Sequence, residues 1–444
     1  MLKSLRLKNV GPAPEMELEL APRLNLITGD NGLGKSFLLD VAWWALTRRW
    51  PQELNDRLSS GYAARPTLKG EPASIGFVVE SKTGKVEYES PYVPRDQAWI
   101  GKPGRPWNPG LVLYALADGG FAVWDPARNY WKRRGNIDIQ DRVPGFVFSA
   151  REVWDGLQIL IGDRHTLVCN GLLVDWASWI REKGEDARRM EAVLALLGPT
   201  VGGRKLEVGR GLARLSVNDA RDIPTVHTGY GQDVPILHAS FGVRRITTLA
   251  YMLSWAWREH RIAAAQLGES PSARIVLLFD EIEAHLHPQW QRAIVPALLN
   301  VVRTLTEDAT AEVQLIAATH SPLVMASVEP LFDLEKDAWF DLDLENWAVV
   351  LRKREFVRHG EVGNWLTSEA FDLEEPRSLE GEQAIQAALS VIRDSHSTEA
   401  DILAVQRRLH AAGLPDIDPF WVRWGYFIER NSILTRSQVK SAIE

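Results

Sequence analysis

The chain has a single cysteine, Cys169, among its 444 residues. One thiol excludes disulfide bonds within the chain and zinc sites built from several cysteines. Long apolar runs are also lacking, since none approaches the roughly 18 residues of a membrane span, and the first ten residues lack the apolar core of a signal peptide. These absences predict a cytoplasmic protein with no membrane partner.

An excess of positive charge is missing too, because the formal net charge is −7 at pH 7. This value excludes a uniformly basic coat for nucleic acid, so any contact with DNA or RNA would need a local basic patch. The hydrophobic content of 45% and the charged content of 25% are ordinary for a soluble protein with a sizeable core. A chain of this length has room for two or three domains.

A glycine-rich segment, GDNGLGKS at residues 29–36, fits the pattern G-x-x-x-x-G-K-[ST]. A strand pattern precedes it and a helix pattern follows it, which is the context that this phosphate loop requires. In such a loop the backbone N–H groups wrap the phosphates, Lys35 reaches the β- and γ-phosphates, and Ser36 binds Mg²⁺. The segment therefore predicts a nucleoside triphosphate site with magnesium. The residues predicted to line it are Gly29, Asp30, Asn31, Gly32, Gly34, Lys35, Ser36 and Phe37.

A second element, RIVLLFDEIEAHLHP at residues 274–288, is an apolar strand that ends in two carboxylates. Acids at the end of a buried strand are costly unless they meet a cation or hydrogen bonds. We therefore predict Asp280 as a magnesium ligand and Glu281 as the base that polarises the attacking water. His285 and His287 follow, but they are two residues apart without a third ligand nearby, which disfavours a metal site.

A third element, QLIAATHSP at residues 314–322, is again an apolar strand, and it ends at Thr319 and His320. Polar residues at the carboxyl end of a parallel strand point into the crevice where ligands bind. A histidine at this position can donate a hydrogen bond to a γ-phosphate. The pattern predicts His320 as a catalytic residue that senses the nucleotide.

Apolar strands that alternate with helices predict an α/β fold, in which helices cover both faces of a mixed or parallel sheet. Proline, glycine and tryptophan are frequent between residues 91 and 235, where short strands surround one predicted helix at about 175–197. We interpret this segment as an inserted β-rich arm. The predicted domains are an N-terminal lobe with the phosphate loop (1–90), the insert (91–235), a C-terminal lobe with Asp280 and His320 (236–350), and a mostly helical tail (351–444).

The ordered motifs resemble those of ABC-type ATPases of the RecF, SMC and OLD branch. In that branch a loop G-x-N-G-x-G-K-S, a strand ending in Asp-Glu and a switch histidine occur in this order, here at residues 29–36, 280–281 and 320. The loop after the Asp-Glu pair corresponds to residues 284–287. The family also has a Ser-x-Gly at the start of a helix, which residues 240–242 match within HASFGVRRI, although the fuller L-S-G-G-Q form is absent.

This resemblance implies a homodimer that encloses two Mg·ATP, in which Ser240 and Gly242 of one subunit contact the nucleotide of the other. It also implies a glutamine near the metal and the water. Gln97 is our candidate for that residue, with Gln140 and Gln158 as competitors.

The resemblance leaves the task of the ATPase open. The composition of the insert excludes the long coiled coil of SMC proteins, and residues after 330 lack an apolar strand ending in paired aspartates, as a metal-dependent nuclease would have. The layout is most similar to ATPase subunits of bacterial anti-phage defence systems, Septu-type among them, in which a separate protein is the nuclease or toxin. The alternatives are a RecF-like DNA-repair ATPase and an OLD-like self-contained nuclease.

Two short segments combine basic and aromatic residues, namely ARNYWKRRG at residues 127–135 and LRKREFVRHG at residues 351–360. Such a mixture suits a nucleic-acid backbone together with base stacking. A solvated hairpin with cross-strand aromatic pairs explains each segment equally well, so nucleic acid stays an open partner.

Overall fold

A computed structural model describes residues 1–81, 84–102, 107–129, 131–134, 137–140, 144–161, 163–198, 205–394 and 396–430. The chain forms two compact units, Met1–Gly360 and Glu361–Glu444. Within the described ranges, no helix is both long enough and apolar enough to cross a membrane.

All strands among the described residues belong to the first unit. In chain order they are β1 (Leu2–Lys8), β2 (Glu15–Glu19), β3 (Leu24–Gly29), β4 (Ser74–Ser81), β5 (Gly84–Val93), β6 (Ala98–Trp99), β7 (Leu111–Ala115), β8 (Phe121–Trp124), β9 (Trp131–Arg134), β10 (Ile137–Gln140), β11 (Gly145–Phe148), β12 (Leu157–Ile161), β13 (Arg164–Cys169), β14 (Glu207–Ala213), β15 (Ile223–His227), β16 (Asp233–Pro235), β17 (Arg274–Phe279), β18 (Glu312–Ala318), β19 (Asp337–Glu345) and β20 (Ala348–Arg354).

The helices are divided between the two units. The first unit contains α1 (Lys35–Thr47), α2 (Pro51–Leu54), α3 (Ala150–Asp155), α4 (Leu172–Glu182), α5 (Glu185–Leu197), α6 (Phe241–Gln266), α7 (Pro288–Thr306) and α8 (Pro322–Val328). The second unit contains α9 (Val362–Leu366), α10 (Leu379–Arg393), α11 (Glu399–Ala411) and α12 (Phe420–Arg430).

The main sheet has eight strands in the order β11-β8-β7-β17-β18-β3-β19-β20. Its five central strands, from β7 to β19, run parallel, whereas the outer pairings are antiparallel. Residues 275–279 of β17 are all buried, because both faces of a central parallel strand are covered. The predicted α/β fold with a mixed sheet is therefore confirmed.

A second, antiparallel sheet has the order β2-β1-β4-β5-β6. Helix α1 contacts strands of both sheets, and most of its 13 residues are buried. Aromatic side chains fill the space around it, with Trp44 stacked on Trp50 at 5.6 Å between ring centroids. Because its surroundings are packed on most sides, this helix fixes the phosphate loop, which immediately precedes it, against the main sheet.

The boundaries of the predicted insert need correction. Strands β7, β8 and β11 lie within residues 91–235, yet they belong to the main sheet. The predicted helix at 175–197 is two helices, α4 and α5, separated around Gly184. The composition of the segment does not reveal that β7 is a buried neighbour of β17. Similarly, β20 extends the main sheet to residue 354, so the C-terminal unit begins at 361 rather than 351.

Candidate nucleotide-binding site

The phosphate loop leaves β3 at Gly29 and enters α1 at Lys35. Gly29 has φ 128° and a Cβ atom there would lie 2.2 Å from the Leu342 carbonyl oxygen. Gly34 has φ 105° and a Cβ atom there would lie 2.7 Å from Cγ of Pro12. Only glycine fits these two positions, which explains why the loop can turn so closely against its neighbours.

Lys35 lies inside the loop. Its Nζ donates hydrogen bonds to the carbonyl oxygens of Gly29 at 2.7 Å and Asp30 at 2.8 Å. Burial lowers the pKa of Lys35, while the nearby charge of Asp280 raises it. An ammonium group in this position can bind the β- and γ-phosphates of a nucleotide.

The two predicted magnesium ligands meet in the structure. Ser36 lies next to Asp280, which follows β17 and whose backbone N–H donates to the Ala115 carbonyl oxygen at 3.0 Å. Burial is the main reason that the pKa of Asp280 is raised to about 6, while the neighbouring Ser36 hydroxyl and the Lys35 charge lower it. A hydroxyl and a carboxylate fit Mg²⁺, which prefers oxygen ligands and keeps several waters or phosphate oxygens.

Among the described residues, no group of three or more His, Cys, Asp or Glu side chains could hold a metal ion. His287 caps α7 instead, accepting a hydrogen bond from the Gln289 backbone N–H at 3.3 Å.

Glu281 begins the turn that follows β17, with φ 48°, and it is exposed. Its charge acts on Lys35, Asp280 and His320, so these groups lie near one another. The structure thus places an exposed carboxylate beside the predicted phosphate position, which is where a general base would be needed.

His320 is half-buried at the end of β18. Burial lowers the pKa of this imidazole, and the Lys35 charge lowers it further. The ring is therefore neutral at pH 7, and it can donate one hydrogen bond to a phosphate oxygen.

Glu283 holds the loop that contains His320, a role that sequence reasoning missed. The Thr319 hydroxyl donates to one carboxylate oxygen at 2.7 Å, and the His320 backbone N–H donates to the other at 2.6 Å. The following residue is held as well, because the Ser321 hydroxyl donates to the side-chain oxygen of Gln291 on α7 at 2.6 Å. Glu283 is the third acidic residue of the segment DEIE at residues 280–283. The sequence does not pair it with His320, which lies 37 residues away.

A hydrogen-bonded pair near Asp280, formed by the buried Tyr114 and the half-buried Asp40, was also missed. The Tyr114 hydroxyl donates to the Asp40 carboxylate at 3.0 Å, joining β7 to α1. The pKa of Asp40 is raised to about 7, chiefly by burial and also by the charges of Asp280 and Asp118, while the hydrogen bond from Tyr114 lowers it. The pair connects the helix that carries Ser36 with the strand next to the one that carries Asp280.

Helix α6 contributes a cation. Arg245 donates to the Leu116 carbonyl oxygen at 3.3 Å, at the end of β7. Burial lowers the pKa of its guanidinium, while Asp118, Asp280 and Glu281 raise it. Asp118 itself accepts hydrogen bonds from the hydroxyls of Ser59 at 2.9 Å and Ser60 at 3.3 Å.

Ser240 and Gly242 lie at the exposed start of the same helix. Ser240 is its N-cap and accepts from the Val243 backbone N–H at 3.4 Å. A Cβ atom on Gly242 would lie 2.9 Å from the His285 carbonyl oxygen. The described contacts of both residues are therefore with their own helix and with the loop at 284–287, and the structure does not bring them to the phosphate loop of the same chain.

Gln97 lies in the turn between β5 and β6, with φ 49°. It lines a groove of the antiparallel sheet together with Arg65, Lys69 and Tyr92, and none of the groove residues belongs to the phosphate loop or to β17. The described structure thus does not bring Gln97 to Ser36 and Asp280. Its neighbours in sequence indicated a loop, but they did not indicate which edge of which sheet the loop occupies.

Acids form ion pairs with three of the described basic residues in the two aromatic segments, namely Arg128, Arg352 and Arg354. Arg128 forms ion pairs with Asp125 and Glu259, both at 3.2 Å. Residues 130 and 135 and the side chains of 131–134 lie outside the description. In the second segment Arg352 pairs with Glu345, and Arg354 pairs with Asp341 at 3.2 Å. These contacts favour solvated hairpins over nucleic-acid surfaces.

Comparison with known families gives one match that covers most of the chain. The family described as "AAA domain, putative AbiEii toxin, Type IV TA system" matches residues 24–326. The match includes the phosphate loop, the turn at 280–287 and the switch loop at 319–321.

Two curated relatives match shorter stretches. "Retron Vc95 probable ATPase" of Vibrio cholerae serotype O1 biovar El Tor is 34% identical over 98 residues, which is 22% of this chain and 17% of that protein. "Retron Ec83 probable ATPase" of Escherichia coli is 39% identical over 54 residues, which is 12% of this chain and 8% of that protein. The alignments thus span less than a fifth of either relative.

Two solved structures align with this chain at low TM-score and low sequence identity. The SMC head domain from Thermotoga maritima aligns with a TM-score of 0.37 and 14% identity, over 80% of this chain and 99% of that chain. The recombination mediator protein RecF of the RecFOR pathway aligns with a TM-score of 0.35 and 14% identity, over 79% and 98%.

Proposed function

Because this chain belongs to the AAA-domain family that matches residues 24–326, we propose that it binds Mg·ATP in the phosphate loop and hydrolyses it. The family match confirms the P-loop ATPase class that the motifs predict. One observation carries the assignment of residues: Lys35, Ser36 and Asp280 meet at the ends of β3 and β17.

In the proposed reaction Lys35 holds the β- and γ-phosphates, and Ser36 and Asp280 hold the magnesium ion. When bound, that ion would neutralise charge that develops on the phosphates. Glu281 orients a water molecule and takes its proton as the water oxygen bonds to the γ-phosphorus. The bond to the bridging oxygen of ADP breaks, and inorganic phosphate leaves. His320 donates a hydrogen bond from its ring to the γ-phosphate.

Two variants test this chemistry. Lys35→Ala should remove ATP binding, because no other group replaces the ammonium inside the loop. Glu281→Gln should bind ATP with near-normal affinity and lose turnover. Glu312→Gln is the matched control, since Glu312 lies at the opposite end of β18 in an ion pair with Arg274. Normal turnover by Glu281→Gln would contradict the general-base role.

We further propose that ATP drives formation of a homodimer with shared sites. The support is that Ser240 and Phe241 are exposed at the start of α6, and that Phe241 and Gly242 contact His285 in the turn at 284–287. A second copy placed against this surface would bring its own nucleotide to Ser240 and Gly242. Light scattering of Glu281→Gln with and without Mg·ATP tests the proposal, and a monomer at saturating ATP would overturn it.

The dimer, in our proposal, gates a separate nuclease or toxin in bacterial anti-phage defence. The retron ATPase relatives and the family description support this role, although the alignments cover only 17% and 8% of those relatives. The experiment is affinity capture of tagged Glu281→Gln from its native host, with and without ATP, with Lys35→Ala as control. A stoichiometric nuclease or toxin retained only with ATP is the expected result. Salt-sensitive capture of nucleic acid alone would instead indicate a RecF-like repair ATPase.

A further inference from the structure

The hairpin between β19 and β20 ends in an unusual residue. Glu345 pairs with Ala348, so the loop consists of Asn346 and Trp347, with φ 48° and 65°. Two positive φ values define the type I′ turn, which favours Asn followed by Gly. Trp347 occupies the glycine position, and it is 95% exposed.

Local structure does not explain this tryptophan. A bulky side chain in the left-handed region is unfavourable, and full exposure of an indole forgoes the burial that stabilises tryptophan elsewhere. Residues held in such conformations occur preferentially at ligand sites. The turn therefore retains a large aromatic ring for a purpose other than folding of the hairpin.

The position of the hairpin indicates the purpose. Strand β19 runs parallel to β3 with Leu342 opposite Gly29, so both strands point toward the same edge of the sheet. The hairpin continues three residues beyond Leu342 before it turns at Asn346, which extends it by about 10 Å past the start of the phosphate loop.

The hairpin also lies on the appropriate side of the loop. In the sheet, β3 has β18 and then β17 on one side, and these strands carry His320 and Asp280 at their ends. The other side of β3 carries β19 and β20. If the γ-phosphate faces His320 and Asp280, as proposed above, a ribose and base that extend away from these residues run toward the hairpin.

The loop between β1 and β2 lies on the same side of the phosphate loop as the hairpin. The ring of Pro12, in the loop between β1 and β2, lies against Gly34, and β2 contacts β20. The β1–β2 loop and the β19–β20 hairpin therefore flank the phosphate loop together, at the end opposite the catalytic carboxylates.

We propose that Trp347 stacks on the purine base of the nucleotide bound in the same chain. An exposed indole offers a flat, polarisable face, and stacking on a base is a common use of such a ring. This inference rests on the proposed placement of the triphosphate at residues 29–36, and it adds a residue that positions the base and raises affinity.

The test compares ATP with inorganic tripolyphosphate, which has the phosphates but no base. Trp347→Gly should bind ATP about tenfold more weakly, since stacking accounts for roughly that much affinity per base. Its affinity for tripolyphosphate should be unchanged. Trp347→Phe keeps an aromatic face and should retain most of the ATP affinity. Titration calorimetry of the full chain measures all of these values.

The same variant also serves as the control for correct folding. Because Asn-Gly is the preferred I′ pair, Trp347→Gly should unfold at a temperature equal to or higher than that of the wild type. Weaker ATP binding by a protein that is at least as stable cannot be attributed to misfolding.

Several results would overturn the proposal. One is an ATP affinity of Trp347→Gly equal to that of the wild type. If this variant also lost self-association, Trp347 would be a contact between protein chains instead. Another is an equal loss for ATP and tripolyphosphate. The underlying site is tested separately, because Lys35→Ala should lose both ligands; if it kept them, the placement of the triphosphate would be wrong whatever Trp347 does.

Discussion

The backbone N–H of His320 donates a hydrogen bond to the carboxylate of Glu283 over 2.6 Å. The other oxygen of that carboxylate accepts from the Thr319 hydroxyl at 2.7 Å. One glutamate thereby fixes two consecutive residues at the end of β18. Since the charges of Lys35 and Glu281 act on His320, fixing its backbone also sets where its ring can meet a phosphate.

We predict that Glu283→Gln slows ATP turnover without weakening ATP binding. The amide can accept only one of the two hydrogen bonds, so the switch loop loses a charged acceptor. Such a contact contributes about 1.5–3 kcal/mol, which corresponds to a roughly ten- to hundredfold fall in kcat if the loop must be ordered for chemistry. Steady-state kinetics measures kcat and KM, and Glu312→Gln again serves as control. A rise in KM at constant kcat would contradict this account.

Because of the Asp40 carboxyl, we predict that the free energy of unfolding depends on pH. Its folded-state pKa is raised to about 7 from the ordinary 3.8. The folded protein thus binds this proton more tightly than the unfolded chain does. The stabilisation that protonated Asp40 contributes is therefore fully present below pH 3.8 and is lost as the pH rises through about 7.

Asp40→Asn removes this titration and keeps an acceptor for Tyr114. We expect it to leave the free energy of unfolding nearly unchanged at low pH and to raise it above about pH 7, by up to ~4 kcal/mol. Urea unfolding across the pH range measures the difference, with Asp56→Asn as an exposed control. A difference that did not vary with pH would show that Asp40 is already ionised in the folded protein.

Two glycines of the phosphate loop should respond differently to the same substitution. Gly29→Ala forces a methyl group to 2.2 Å from the Leu342 carbonyl oxygen, whereas Gly32→Ala meets nothing within 4 Å. Both have positive φ, so Gly32→Ala should cost about 1 kcal/mol and Gly29→Ala considerably more. Urea unfolding ranks the two variants, and equal costs would show that the clash at Gly29 is relieved by movement of β19.

Substitution of Phe241 should change dimer formation without changing the fold. Its ring is 67% exposed between Ser240 and Gly242, and it lies 5.8 Å from the His285 ring. In the Glu281→Gln background, Phe241→Asp should abolish the ATP-dependent dimer and leave ATP binding by the monomer intact. Light scattering reads the first effect and calorimetry the second, with Val217→Asp as an exposed control elsewhere. A dimer that persists would place the shared surface away from α6.

The sequence predicted the parts of the site that follow local rules. The apolar strands that precede Asp280 and Thr319 and the helix that follows the phosphate loop were predicted correctly, because apolar periodicity is local. The phosphate loop was predicted from the spacing of its residues together with the strand pattern before it and the helix pattern after it.

The remaining parts depend on contacts between distant residues. Tyr114 and Asp40 are separated by 74 residues, and Arg245 and Leu116 by 129. No spacing rule connects such pairs. The position of β7 inside the main sheet was missed for the same reason, since pairing with β17 crosses more than 150 residues of chain.

Helix α6 has a consequence for how two copies would behave together. Its first residues face outward at Ser240 and Gly242, while Arg245 reaches Leu116 and the charges of Asp118 and Asp280 within the same chain. These positions are separated by little more than one turn, about 7 Å along the axis. In the proposed dimer, a shift of this rigid helix toward one nucleotide would also move a guanidinium at the other. The two ATP molecules would then bind interdependently, and a titration curve would depart from that of identical, independent sites.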